Sequence, residues 1–296
     1  MMLVITLFLG LVCCSVLFMY QLKKNQRLKQ ADVQRCLTKL EVLKDLLLHI
    51  QQHRGLSTGF LHGDVSLKLN MMSTMNTVKN LWLSLARDYP KLTQDALFEG
   101  VSSHWQRLES RCLELTASNN IEQHNRLITN LLHLIENQAE ENRLLIRFSR
   151  ELGLNVIWKE LLETIEAIGQ TRAIGMGLVS EGKSTAVERI QLKYLNEKVL
   201  TRLVALNTSF AGDSGAVNAS HVLEKCSVDP FIKTADAKIA ELHAFIHKNL
   251  LQPKINTISG EDFFQLASSA IVPLNALFNL ASNTLKEQCC LKSKGW

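Results

Sequence analysis

Residues 39–61 read KLEVLKDLLLHIQQHRGLSTGFL, and residues 157–179 read IWKELLETIEAIGQTRAIGMGLV. In the first stretch Leu40, Leu43, Leu47 and Ile50 recur in steps of three and four, the spacing of one helix face and of a core seam. In the second, Trp158, Leu161, Ile165 and Ile168 repeat the pattern 118 residues later. Prolonging each seam lands on Arg54, Ser57 and Leu61, and on Arg172, Gly175 and Val179. Gln52, Arg54 and Gly59 return as Gln170, Arg172 and Gly177. The chain therefore contains an internal repeat, and each half opens with a helix whose apolar face is broken by one arginine.

A guanidinium in a core needs a negative partner, because an unpaired buried charge costs several kcal/mol. For a single arginine, an internal ion pair or a side chain snorkelled into solvent is the simpler account. Two at equivalent positions, each followed on the same face by a small residue, Ser57 or Gly175, point towards a bound anion. The planar, rigid guanidinium suits a planar oxyanion through paired hydrogen bonds.

Beyond these stretches, Leu, Ile and Ala are plentiful and only four prolines occur (Pro90, Pro230, Pro253 and Pro273), a composition that favours helices. Helical spacing predicts helices at roughly 27–62, 66–88, 92–117, 120–151, 154–181, 185–209, 229–250 and 261–288. Gly63 can end the first with a left-handed cap and Ser66 can begin the next. Thr185 and Glu188 have the spacing of a capping box, Pro273 is placed to kink the last helix, and AGDSGAVNAS (211–220) reads as the longest polar loop. With the division set at Gly153, the reading is all-α: an N-terminal transmembrane helix followed by two antiparallel four-helix bundles. The anchor takes residues 1–22, the first bundle 23–152 and the second 153–290.

The anchor rests on Met1 to Tyr20, which contain no charged side chain and as a helix span ~30 Å, the thickness of the hydrocarbon core. Lys23, Lys24, Arg27 and Lys29 follow. The positive-inside rule then gives a single-pass protein of the inner (cell) membrane with its bulk in the cytoplasm. A net charge of +5, spread along the chain, does not suggest nucleic acid as a partner. The seven cysteines include no CxxC spacing, which suggests neither a disulfide framework nor a zinc site.

Other motifs have simpler explanations. GLVSEGKS (177–184) matches the P-loop pattern, but helical spacing precedes it where a strand is required. A helix corner capped at Thr185 accounts for it, and Lys183 is not expected to hold nucleotide. His243 and His247 stand four apart on a helix, but no third metal ligand is evident in the sequence. Trp158 reads as core, His53 and His62 flank the first signature, and Ser57 has no histidine–carboxylate relay to make it a nucleophile. The chain is thus expected to be no enzyme and to carry no cofactor or metal.

These motifs also carry a resemblance. RGLSTGFL (54–61), followed by the glycine turn, resembles the start of the nitrate- and nitrite-sensing domain family, and GQTRAIGMGLVSEG (169–182) resembles its second signature. ISGEDFFQLASSAIVPLNALF (258–278) is similar to the family's closing helix, where an acidic cap and an aromatic precede a small-residue segment. The likeness covers roughly residues 30–285. It implies a pair of four-helix bundles that bind nitrate or nitrite through arginines, and the motif arginines fall on Arg54 and Arg172. Family pockets can draw further arginines from later helices, whereas this chain has none after Arg202. Kinase, RNA-binding and methyl-accepting segments, common in the family's regulators, are not seen.

The combined expectation is a membrane-anchored sensor that holds nitrate or nitrite between Arg54 and Arg172, with Ser57 and Gly175 as small residues of the pocket wall. The two cationic helices would stand apart until an anion bridges them. The partners are then the anion, the membrane, an unidentified downstream signalling protein and, as an option, a second copy of the chain. The rival expectation is a membrane-tethered helical scaffold with no small-molecule ligand, its arginines satisfied internally.

Overall fold

The computed structural model describes residues 2–141, 144, 156–211, 225–255 and 258–294, and these are helical apart from short turns. The first helix, α1 (Met2–Leu61), runs without interruption through the segment expected as an anchor and on to Arg54. At 1.5 Å per residue its 60 residues extend ~90 Å. Residues 14–29 are exposed, and the apolar seam enters the core from Val33 onward.

Helices α2 (Lys68–Asp88), α3 (Ala96–Arg111) and α4 (Ala117–Glu141) follow, each introduced or closed by a short 3-10 turn. Gly63 does adopt a positive φ, +105°. The cap beyond it differs from the expectation: Asp64, rather than Ser66, accepts the backbone N–H of Ser66. A π-turn at Val156–Glu160 leads into α5 (Leu161–Glu181), and α6 (Ala186–Ala211), α7 (Lys225–Asn249) and α8 (Gly260–Lys294) complete the order. Gly153, taken as the division between halves, and most of the 211–220 loop lie outside the described residues.

The two repeat helices form the centre. α1 packs against α2, α4, α5 and α8, while α5 packs against α1, α6 and α8. Gly55 lies beside Arg172, Gly59 beside Met176 and Ser180, and Gly177 beside His62, so α1 and α5 run parallel and in step. Glycines at these contacts let the backbones approach closely. Leu40, Leu43, Leu47 and Ile50 are buried together with Trp158, Leu161, Ile165 and Ile168 in one hydrophobic cluster that is continuous across both halves.

Among the described residues one helix, Gly260–Cys289, is long and apolar enough to cross a membrane. It lies near the C-terminus, whereas the sequence reading places the span at residues 1–22. Its apolar positions follow core spacing: Phe263, Ala267, Ala270, Leu274, Leu277, Ala281 and Leu285 are all buried. The same helix carries polar groups against α1. Lys44, 2 % exposed, donates to Asn275 Oδ1 at 2.8 Å and Asn279 Oδ1 at 3.1 Å, and Glu41 accepts from Ser282 and Lys286. This is the pattern of a helix buried in protein.

Candidate functional site

Arg54 sits at the end of the α1 seam and is fully buried. Its fork meets the carboxylate of Glu166 on α5: Nη1 donates to Oε1 at 2.7 Å and Nη2 to Oε2 at 3.1 Å. Asn125 Oδ1 on α4 accepts a further bond from Nη1 at 2.6 Å. Glu166 also accepts from Gln51 Nε2 at 2.8 Å and from Gln170 Nε2 at 2.9 Å. The parallel arrangement makes this possible, because it places Arg54, about two turns before the end of α1, against Glu166 in the second turn of α5. Gly169 is required there: a β-carbon would lie 2.8 Å from Arg54 Nη2. The sequence reading left Arg54 open to an external anion; its Nη groups are instead neutralised by a carboxylate of the same chain. Such a pair repays its desolvation because the geometry is bidentate and the spare lone pairs are filled.

Arg172 is placed differently. It is 4 % exposed, and among the described residues no carboxylate forms an ion pair with it. Nη1 donates to Ser268 Oγ on α8 at 2.8 Å, and the ring of Phe264 covers the guanidinium at 4.7 Å. Burial pushes its pKa down to about 9, the charge of Arg54 adds to the fall, and Glu166 opposes it. The group still carries its charge at neutral pH. Among the described residues its Nε has no partner, and neither has Nε of Arg54. Arg54, Arg172 and Glu166 therefore leave one buried positive charge uncompensated among the described residues.

The two small residues, expected in a pocket wall, meet neighbours within the chain. Ser57 Oγ donates to the Arg54 carbonyl at 3.2 Å and accepts from Asn120 Nδ2 at 2.9 Å, tying α1 to α4. A β-carbon at Gly175 would overlap the Phe263 ring, so the space beside that glycine belongs to an aromatic side chain of α8. Nor do α1 and α5 stand apart, since Glu166 joins them.

A second polar cluster lies beside Arg54. His53 Nδ1 is 2.9 Å from His124 Nε2, and His124 Nδ1 is 2.8 Å from the Asn120 carbonyl. Burial lowers the His53 pKa to about 4; His124 lies well below its ordinary value through burial first and the neighbouring His53 second. Both rings are neutral at pH 7. Since a carbonyl only accepts, His124 carries its proton on Nδ1 and His53 donates to it, which leaves His53 Nε2 as a bare acceptor. That atom has no partner among the described residues, and the ring meets Trp105 edge-on with centroids 5.2 Å apart.

Two surface clefts approach the ion pair. One of about 490 Å³ is lined by Thr58, His62, Asn125, Gly177 and Gln191 and so ends on the residue that holds Arg54. The other, of about 220 Å³, has Glu166 in its wall with Lys198 and Arg202 nearby. The P-loop-like stretch is a helix corner. Gly182 caps α5 in the left-handed region at φ +68°. Thr185 and Glu188 then exchange hydrogen bonds as a capping box.

Glu166, Asn125, Phe264 and Ser268 complete the site, and none was singled out in the sequence. Phe264 and Ser268 fall within the closing-helix resemblance, which was the available signal. Glu166 corresponds to Leu48 in the first half, so the repeat itself hides it. Comparison of the chain with family models, with curated proteins and with solved structures finds no match.

Proposed function

We propose that the chain is a membrane-anchored sensor of a small planar monoanion of the nitrate or nitrite type, with Arg172 as the group that receives it. The observation that carries this reading is a buried guanidinium with, among the described residues, no carboxylate partner and an unused Nε. A monoanion balances the one excess charge of the Arg54–Glu166–Arg172 group, whereas a dianion would leave a net negative charge in a dry site. The resemblance of three ordered motifs to the nitrate- and nitrite-sensing family supplies the identity of the anion.

The anion competes with the Phe264 ring for Arg172, so its entry displaces that ring and shifts α8. α8 also holds α1 through Lys44, Asn275, Asn279 and the Glu41–Lys286 pair. α1 is continuous to Met2, and a small rotation or slide of it reaches the N-terminal segment. There Val16, Leu17, Phe18, Met19 and Tyr20 are all exposed, each by more than half. Together with the basic residues that follow, this supports residues 1–22 as a bilayer anchor and the remainder as cytoplasmic. The anion works as a signal only through a difference in affinity between the two arrangements of α8. A partner protein or a second copy of the chain then reads the change.

The Arg54–Glu166 pair favours a second reading, a tethered helical scaffold whose polar core only fixes helix register. Melting the detergent-solubilised chain with and without nitrate separates the two. The sensor gains about 2.7 kcal/mol at 100 times the dissociation constant, and Arg172→Lys loses most of the gain. The scaffold melts at the same temperature in both conditions.

A further inference from the structure

The structure assigns a divalent transition-metal site to Glu197 of α6 and His243 and His247 of α7. The two histidines share one face of α7, with ring centroids 4.5 Å apart. The third ligand, not evident along the sequence, comes from the packing of α6 on α7, which sets Glu197 Oε1 3.6 Å from His247 Nε2. One ligating atom from each residue falls within 4.8 Å of the other two. In a tetrahedral zinc site, ligands 2.0–2.2 Å from the ion stand roughly 3.5 Å apart. Closing that last ångström is a rotamer adjustment for Glu197 and His247, which are exposed.

Two imidazoles and one carboxylate select borderline ions such as zinc over magnesium or calcium, which prefer all-oxygen sites. Solvent supplies the fourth ligand. Asn196 Nδ2 lies 2.8 Å from His243 Nδ1 and donates to it in the metal-free chain; turning that amide over and moving the ring proton from Nε2 to Nδ1 frees Nε2 for the ion. In the metal-loaded form Nδ1 carries the proton and the amide presents its oxygen, the usual outer support of a metal-bound histidine. The ion would pin the middle of α6 to the C-terminal half of α7. This site is remote in composition from the arginine group and stands whether or not the anion reading does.

Melting the full chain with 100 µM zinc chloride, after chelator treatment, tests the assignment. We expect a rise of about 4 °C if the dissociation constant is near 1 µM. The rise should be absent in His247→Ala, reduced in Glu197→Gln, and not reproduced by magnesium. Cobalt in place of zinc should give the intense visible absorption of a tetrahedral ion in the unmodified chain only. Glu197 and His247 are exposed and His243 is half-buried, and unchanged far-ultraviolet circular dichroism will show that the variants fold. No rise with zinc, or an equal rise in His243→Ala/His247→Ala, overturns the site.

Discussion

Arg54 on α1 and Glu166 on α5 form a forked ion pair, Nη1 to Oε1 at 2.7 Å and Nη2 to Oε2 at 3.1 Å, in the interior of the protein. The pair joins the two halves of the repeat, and it changes what the two arginines can do. One is a structural cation with its carboxylate already in place. The other, Arg172, has among the described residues a hydroxyl and an aromatic face but no carboxylate.

Replacing the carboxylate therefore exposes two buried charges at once. Glu166→Gln should lose about 3–5 kcal/mol in urea unfolding, the cost of breaking a buried pair from one side. Nitrate should restore more stability to this variant than to the unmodified chain. A loss below about 1 kcal/mol, with no extra gain from nitrate, would mean that the pair is solvated and contributes little.

Phe264 guards Arg172, and a ring over a desolvated cation contributes about 1–2 kcal/mol. Phe264→Ala should accordingly bind nitrate about tenfold more tightly by removing the competitor. Weaker binding would show that the ring contacts the anion rather than displacing it. Titration by intrinsic fluorescence of Trp105 and Trp158 follows either outcome.

The repeat seam was legible because helical periodicity and a fixed offset are local properties: Leu40 to Ile50 and Trp158 to Ile168 are buried as their spacing requires. So was the capping box at Thr185. What stayed hidden depends on which helices meet. Glu166 acts on Arg54 only because α1 and α5 lie parallel, and nothing in the spacing of either helix states that. Gly175 suggested room for a ligand, but Phe263, far along the chain, occupies it. Glu197 joins His243 and His247 for the same kind of reason, across two helices.

Gly175 offers a test of that packing. Gly175→Ala pushes a methyl group into the Phe263 ring and should cost about 1–3 kcal/mol. Adding Phe263→Leu should recover part of the loss, giving a coupling in a double-mutant cycle. Additive effects would place the two residues out of contact.

Acid should weaken the fold through the buried histidines. His53 ionises at about 4 in the folded chain against an ordinary 6.5. Between those values the unfolded chain binds a proton that the folded chain refuses, so stability falls as pH drops from 6.5 towards 4. His53 alone accounts for about 3 kcal/mol across that window, and His124, shifted in the same direction, adds to it. The urea midpoint of His53→Gln/His124→Gln should depend on pH less steeply than that of the unmodified chain over the same range; equal slopes would assign the effect to carboxylates.

Calorimetric titration of the full chain with sodium nitrate reaches the central claim most directly. One nitrate per chain, little heat from chloride or sulfate, and no binding in Arg172→Ala, with Arg54 and Glu166 intact, is the predicted result. Saturable heat of the same size in Arg172→Ala, or none in the unmodified chain, would contradict it.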